Sequence, residues 1–211
     1  MPRITIEGPA GKLDARLHRA DRDDAPIALV LHPNPQFGGD MNTPTVYNLF
    51  TTFADHGFSV LRFNYRGVGR SEGEFAGEAR EVDDAIAALD WLTAEFPNAS
   101  ARWIGGYSYG ALIGLHLLAR RLDFDRFVAI APPAQKYDFT FLKTCPAPGL
   151  FVHGTGDTLI PEGEVAKLVE RLRAQEKVEI EYTLIEGASH FFDRHQAELD
   201  AVLNDYLART G

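Results

Sequence analysis

Ser108 stands between glycines in Gly106-Tyr107-Ser108-Tyr109-Gly110, where a short apolar run, Arg102–Tyr107, meets a segment of helical period, Ala111–Arg121. A serine in that context can serve as a nucleophile. The glycines leave room for a sharp strand–turn–helix in which the serine backbone is strained and its hydroxyl projects above the sheet. The helix that begins there points its first amides and its positive dipole end at a reacting carbonyl. The alternative is a glycine-rich turn without chemistry; the strand before and the helix after favour the nucleophile.

A serine hydroxyl is a weak nucleophile at neutral pH, so it needs a base within hydrogen-bond reach and a group that orients the base. His190, in EGASHFF just past the last apolar run, sits in a short small-residue loop suited to the base. Its rivals fit less well. His195 falls on the closing helix, His56 ends a helix, His116 lies inside one, His18 is on the amino-terminal hairpin and His153 belongs to the turn presenting the acid. His32 reads as a loop histidine bonded to backbone beside the site rather than as a catalytic group. Asp157, in HGTGDTLIP after the run Gly149–His153, is placed to accept the Nδ1 proton of the base. Capping of the following helix is the alternative for Asp157, with Glu186 as fallback acid.

A tetrahedral oxyanion needs two fixed N–H donors. The amide of Tyr109 directly after the serine is one candidate. The other lies in His32-Pro33-Asn34-Pro35-Gln36-Phe37-Gly38-Gly39, where the two prolines have no N–H to give. Asn34 is the first choice there, with Gln36 and Phe37 behind it.

These groups must be carried by a scaffold, and the periodicity supplies one. Short runs, Arg3–Glu7, Lys12–His18, Ile27–Leu31, Phe58–Tyr65, Arg102–Tyr107, Arg126–Ala131, Gly149–His153 and Val178–Ile185, read as about eight strands. The first two form a hairpin across GPAG. Between the others lie segments of helical spacing: Val46, Leu49, Phe50 and Phe53; Val82, Ala85, Ile86, Leu89 and Leu92; Val165, Leu168, Val169 and Leu172; and finally Ala201, Val202, Tyr206 and Leu207. That alternation predicts an α/β fold, a mostly parallel sheet with helices on both faces, and chemistry beyond the carboxyl ends of the strands. Residues 1–211 read as one domain without repeats or linkers.

A net charge of −9 argues against nucleic acid or an anionic membrane surface as partner. No stretch approaches the ~20 apolar residues of a membrane span and the start lacks a signal-peptide pattern, so a soluble cytoplasmic protein is expected. The single cysteine, Cys145, excludes an internal disulfide and reads as an incidental thiol.

The order Ser108, Asp157, His190, together with LVLHPNPQFGGDMN, FNYRGVGRSEGEF, GYSYG, HGTGDTLIP and GASHFF, resembles the α/β-hydrolase superfamily over essentially the whole chain. It is similar to a small lidless bacterial branch related to dienelactone hydrolases, serine esterases and peptidases. The resemblance implies an eight-stranded sheet, a Ser108–His190–Asp157 triad, and no metal or organic cofactor. Serine stands where dienelactone hydrolases carry cysteine, and HPNP replaces the His-Gly pair common in esterases.

Only Pro132–Pro148 separates two successive strands where relatives insert a cap, so the cap is minimal and the site open. Phe37, Met41, Tyr137, Phe139, Phe141, Leu142 and Phe191 are candidates for a shallow apolar acyl pocket, ordinary packing being the alternative. Arg66 and Arg70 would meet an anionic substrate or, in preference, pair with nearby acids such as Glu72 or Asp83. The expected activity is hydrolysis of a small or medium carboxylic ester, or a thioester, through an acyl-enzyme. Peptidase, amidase or acyltransferase chemistry on the same triad, and a non-catalytic binding protein on this scaffold, are the alternatives. The expected partner is a small-molecule acyl substrate, with monomer and homodimer both open.

Overall fold

The computed structural model describes residues 3–143, 145–175 and 178–211. Its strands are β1 (Arg3–Gly8), β2 (Gly11–His18), β3 (Ile27–Leu31), β4 (Ser59–Phe63), β5 (Arg102–Tyr107), β6 (Arg126–Ile130), β7 (Gly149–Gly154) and β8 (Ile180–Ile185). They form one eight-stranded sheet in the order β1-β2-β4-β3-β5-β6-β7-β8. The β1–β2 and β2–β4 pairs are antiparallel and every later pair is parallel.

The helices are α1 (Pro44–Asp55), α2 (Glu78–Glu95), α3 (Tyr109–Arg120), α4 (Glu162–Arg173) and α5 (Gln196–Thr210). Because side chains alternate across a strand, each central strand feeds two cores. Ile27, Leu29 and Leu31 of β3 pack with α2, α3 and α4 on one face, whereas Ala28 and Val30 pack with α1 and α5 on the other. Both faces of the central strands are thus buried, which explains continuous apolar runs rather than polar alternation. Among the described residues no helix is long and apolar enough to cross a membrane.

The chain leaves β3 for β4 on one side and then crosses to β5 on the other, so β3 and β5 are neighbours whose loops diverge. Such a switch point opens a crevice at the carboxyl ends of the two strands, where parallel α/β sheets hold their ligands. Here it brings the His32–Gly39 loop beside the turn at Ser108.

The glycine-rich loop after β4 is anchored from below. Arg66 donates from Nε and its backbone N–H to Asp84 Oδ2 at 2.9 and 3.0 Å and from Nη2 to Asp84 Oδ1 at 2.7 Å. The partner is neither of the acids expected from sequence. Asp84 lies on the buried face of α2, while Asp83, one residue before it, turns outward and pairs with Arg80. Removing one member of a buried pair strands the other charge and costs about 3–5 kcal/mol. Asp84→Ala is therefore expected to destabilise the fold by that amount in urea unfolding; a loss below 1 kcal/mol would show that Arg66 finds water or another acceptor.

Candidate active site

Ser108 sits at the turn between β5 and α3 with φ 54° and ψ −118°, a left-handed backbone in a non-glycine residue. Its N–H donates to Ile130 O of the neighbouring β6 at 2.8 Å. The flanking glycines are required by space. A Cβ on Gly106 would lie 2.3 Å from Gly110 O, and one on Gly110 would lie 2.3 Å from Leu31 O. Among the described residues two further non-glycine residues adopt the same region at this edge of the sheet, Ala131 after β6 and Phe192 after His190.

His190 Nε2 stands 3.0 Å from Ser108 Oγ, and His190 Nδ1 stands 2.6 Å from Asp157 Oδ2. A carboxylate can only accept, so Nδ1 carries the proton and Nε2 is the acceptor facing the serine hydroxyl. Asp157 is not the cap of α4, a position held by Pro161. Instead Asp157 Oδ1 accepts the N–H groups of Leu159 and Ile160 at 2.8 Å each, leaving Oδ2 for the histidine. Burial alone would raise the Asp157 pKa, but the bonds from His190 and the Ile160 amide outweigh it and hold the carboxyl below its usual range. Glu186, the fallback acid, is exposed at the surface. The His190 loop is held from β5, where the Tyr107 hydroxyl donates to His190 O at 2.9 Å.

The Tyr109 amide follows Ser108 at the first turn of α3, where N–H groups have no helical acceptor. In the loop after β3, Pro35–Phe37 forms a short 3-10 turn that separates the three candidate donors. Gln36 N–H donates to Asn34 Oδ1 and Phe37 N–H to Asn34 O, which occupies both. Among the described residues the Asn34 N–H has no acceptor, and Asn34 lines the same cavity as Ser108 and Tyr109.

That cavity is about 350 Å³, at the small end for ligand sites. Of the residues expected to line it, Phe37, Tyr137 and Phe191 do. Met41, Phe139, Phe141 and Leu142 do not. Met41 is buried with its N–H on Asn64 Oδ1 and its carbonyl on Arg62. Phe139 and Leu142 are packed into the core beneath the segment after β6, and Phe141 stacks on His116. Sequence reasoning missed Leu159 and Ile160, which complete the apolar wall from the turn that carries Asp157, and missed Tyr107. Cys145 is buried away from the site, its thiol pushed up to about 11 by burial.

His32 is fully buried, and burial lowers its pKa from 6.5 to about 4. Between those values the unfolded chain binds a proton that the folded chain does not, so stability falls as the pH drops from 6.5 towards 4. At pH 5 the loss from this ring is about 2 kcal/mol. Burial shifts His116 and His153 in the same direction, while Glu81, raised by burial, opposes them. Comparing His32→Asn with the parent isolates the His32 contribution. In urea unfolding the stability gap between the two should narrow by about 2 kcal/mol from pH 7 to pH 5; an unchanged gap would contradict a neutral buried ring.

Comparison with known proteins locates the chain. Residues 8–141 match the family model described as X-Pro dipeptidyl-peptidase of the S15 family. An uncharacterised protein of Rickettsia prowazekii is 45% identical over 98% of this chain and 89% of its own length. Among solved structures, a protein of unknown function from Agrobacterium tumefaciens, described as an α/β hydrolase, is 46% identical with a TM-score of 0.96. The match covers 99% of this chain and 95% of that one. An α/β serine hydrolase without a lid from Xanthomonas campestris is 31% identical with a TM-score of 0.89, over 99% and 94%.

Proposed function

We propose that this chain, which belongs to the S15 family of α/β serine hydrolases and to their lidless branch, hydrolyses small or medium carboxylic esters through an acyl-enzyme on Ser108. The observation that carries the reading is the relay Ser108 Oγ, His190, Asp157 at 3.0 and 2.6 Å, opening into an apolar cavity. Ser108 Oγ attacks the ester carbonyl carbon while His190 Nε2 takes its proton. The Tyr109 and Asn34 amides receive the negative charge that develops on the carbonyl oxygen. Collapse breaks the bond to the alcohol oxygen, which leaves with the proton from His190. Water, deprotonated by the same nitrogen, then attacks the acyl carbon; the bond to Ser108 Oγ breaks, Oγ takes the proton back from His190, and the acid is released. Asp157 stays ionised throughout, fixing the ring and stabilising its charged form.

The family match favours a second reading, release of X-Pro dipeptides from peptide amino termini. Such a substrate presents an ammonium group, and among the described residues no Asp or Glu side chain lines the cavity to receive it. The lining cation is Lys136, and most of the remaining wall is apolar or aromatic: Pro33, Phe37, Tyr107, Tyr109, Pro133, Tyr137, Leu159, Ile160 and Phe191. These features support esters over dipeptides.

The test combines intact-mass analysis after a fluorophosphonate with turnover of p-nitrophenyl esters from acetyl to dodecanoyl and of an X-Pro p-nitroanilide. One adduct on Ser108 with turnover of the shorter esters is the expected result. Turnover of the anilide alone would favour the peptidase, and a folded protein that takes no label would favour a binding protein on this scaffold. Ser108→Ala is expected to lose about 10⁶ in kcat and Asp157→Asn about 10⁴.

The second oxyanion donor can be tested separately. Asn34 has φ −58°, which suits proline, so Asn34→Pro removes the N–H without straining φ at that position. Asn34→Ala removes only the side chain. The proline variant should have a kcat about 10²–10³ lower than the alanine variant; equal rates would place the second donor elsewhere.

A further inference from the structure

The Asn34 N–H shares one peptide unit with the Pro33 carbonyl. A trans peptide is planar and its C=O and N–H point in opposite directions, so whatever holds the Pro33 oxygen also aims the Asn34 N–H. Two features hold that oxygen. His32 Nδ1 lies 2.7 Å from Pro33 O, and the Tyr65 N–H donates to His32 Nε2 at 3.2 Å. The carbonyl can only accept and the amide can only donate, so a neutral ring protonated on Nδ1 satisfies both. Fully buried beneath the loop and packed on the Tyr65 ring at 4.2 Å between centroids, His32 cannot swing aside.

The second feature is a missing side chain. A Cβ on Gly39 would lie 2.3 Å from Pro33 O and 2.6 Å from Pro33 C. Gly39 lies outside the left-handed region, so glycine is needed there for space and not for its φ. Its own N–H donates to Asn34 O at 3.1 Å, tying the far side of the turn. A rotated Pro33–Asn34 peptide would put a carbonyl oxygen where the amide should be and repel the developing oxyanion.

We propose that His32 and Gly39 are positioning residues of the oxyanion hole, clamping the Pro33–Asn34 peptide so that the Asn34 N–H faces the reacting carbonyl oxygen. The inference rests on the ester-hydrolase reading and deepens it. His32 touches no substrate; it acts through the backbone of its neighbours.

Two replacements separate its two bonds. An asparagine side chain places an N–H near the position of Nδ1 and can restore the bond to Pro33 O. A glutamine reaches the position of Nε2 and can keep only the bond from Tyr65. His32→Asn is therefore expected to keep kcat within about threefold of the parent, and His32→Gln to lose about 10- to 100-fold, less than deletion of a donor. KM for a short p-nitrophenyl ester should move less than about threefold, because the ground-state carbonyl uses the hole weakly. Gly39→Ala should repeat the kcat loss from the opposite side. Affinity for a trifluoromethyl ketone, whose adduct with Ser108 carries an oxyanion, should fall in parallel with kcat/KM.

Melting temperatures identify which variants are folded, and Gly39→Ala tests the clamp should His32→Gln fail to fold. Equal kcat in folded His32→Gln and His32→Asn, or parental kcat in folded Gly39→Ala, would overturn the clamp. Either result would leave the ester-hydrolase reading standing as long as Ser108→Ala abolishes turnover. Turnover surviving in Ser108→Ala would overturn that reading, and the clamp with it.

Discussion

Ser108 keeps a backbone conformation that a non-glycine residue reaches at a cost of about 1–3 kcal/mol, and the surrounding structure must over-determine it. The constraint is met by close packing of backbone on backbone. Gly106 meets the Gly110 carbonyl, Gly110 meets the Leu31 carbonyl, and the Ser108 N–H is held by Ile130 O. A side chain at either glycine would separate β5 from α3, or α3 from the end of β3. The strained turn thus fixes how near the loop after β3 can come, and that loop carries the Asn34 amide.

Ala131 and Phe192 extend the pattern, since the three left-handed non-glycine residues among the described residues all lie at the carboxyl edge of the sheet. The polar bonds there are correspondingly shared. Asp157 uses one oxygen to hold the Leu159 and Ile160 amides and the other to hold His190, so a single buried carboxylate sets both the cavity wall and the tautomer of His190. His153, fully buried, donates from Nε2 to Ile160 O at 3.0 Å and braces the same turn from the strand below. Stability and chemistry depend on the same few atoms, and loss of one therefore disturbs both.

Much of this was legible in the residues because strand alternation and helix spacing are local signals. Strand ends differed by at most about two residues, for reasons visible in the structure. β6 stops at Ile130 because Ala131 turns left-handed, and Phe58 stays outside β4 because its N–H closes the end of α1 on Phe53 O. Ser108, His190 and Asp157 stood out because each follows a strand on one sheet edge. The pocket was less legible, since an aromatic residue fills a core as readily as it lines a cavity. Tyr137 faces the cavity while Phe139, two residues on, faces the core, and nothing in Pro132–Pro148 has a period to tell them apart. The pairing of Arg66 with Asp84 depended on the rotation of α2, where one residue is the difference between burial and solvent.

The open rim has a consequence of its own. Phe37, Leu159 and Phe191 surround the cavity at 85%, 43% and 55% exposure, an arrangement that leaves apolar surface in water. An acyl chain laid across them would remove that surface from water at roughly 25 cal/mol per Å². On the ester-hydrolase reading proposed above, contacts made equally by bound ester and transition state would let the rim govern how tightly esters of different length bind. Under that proposal the rate of the acyl step would rest on the Tyr109 and Asn34 amides and on His190, which a longer acyl chain does not rearrange. On the same reading, and with no lid over Ser108 among the described residues, water would have direct access to an acyl-enzyme formed there. That access favours hydrolysis over transfer to a bound acceptor, which would need water excluded while it waits.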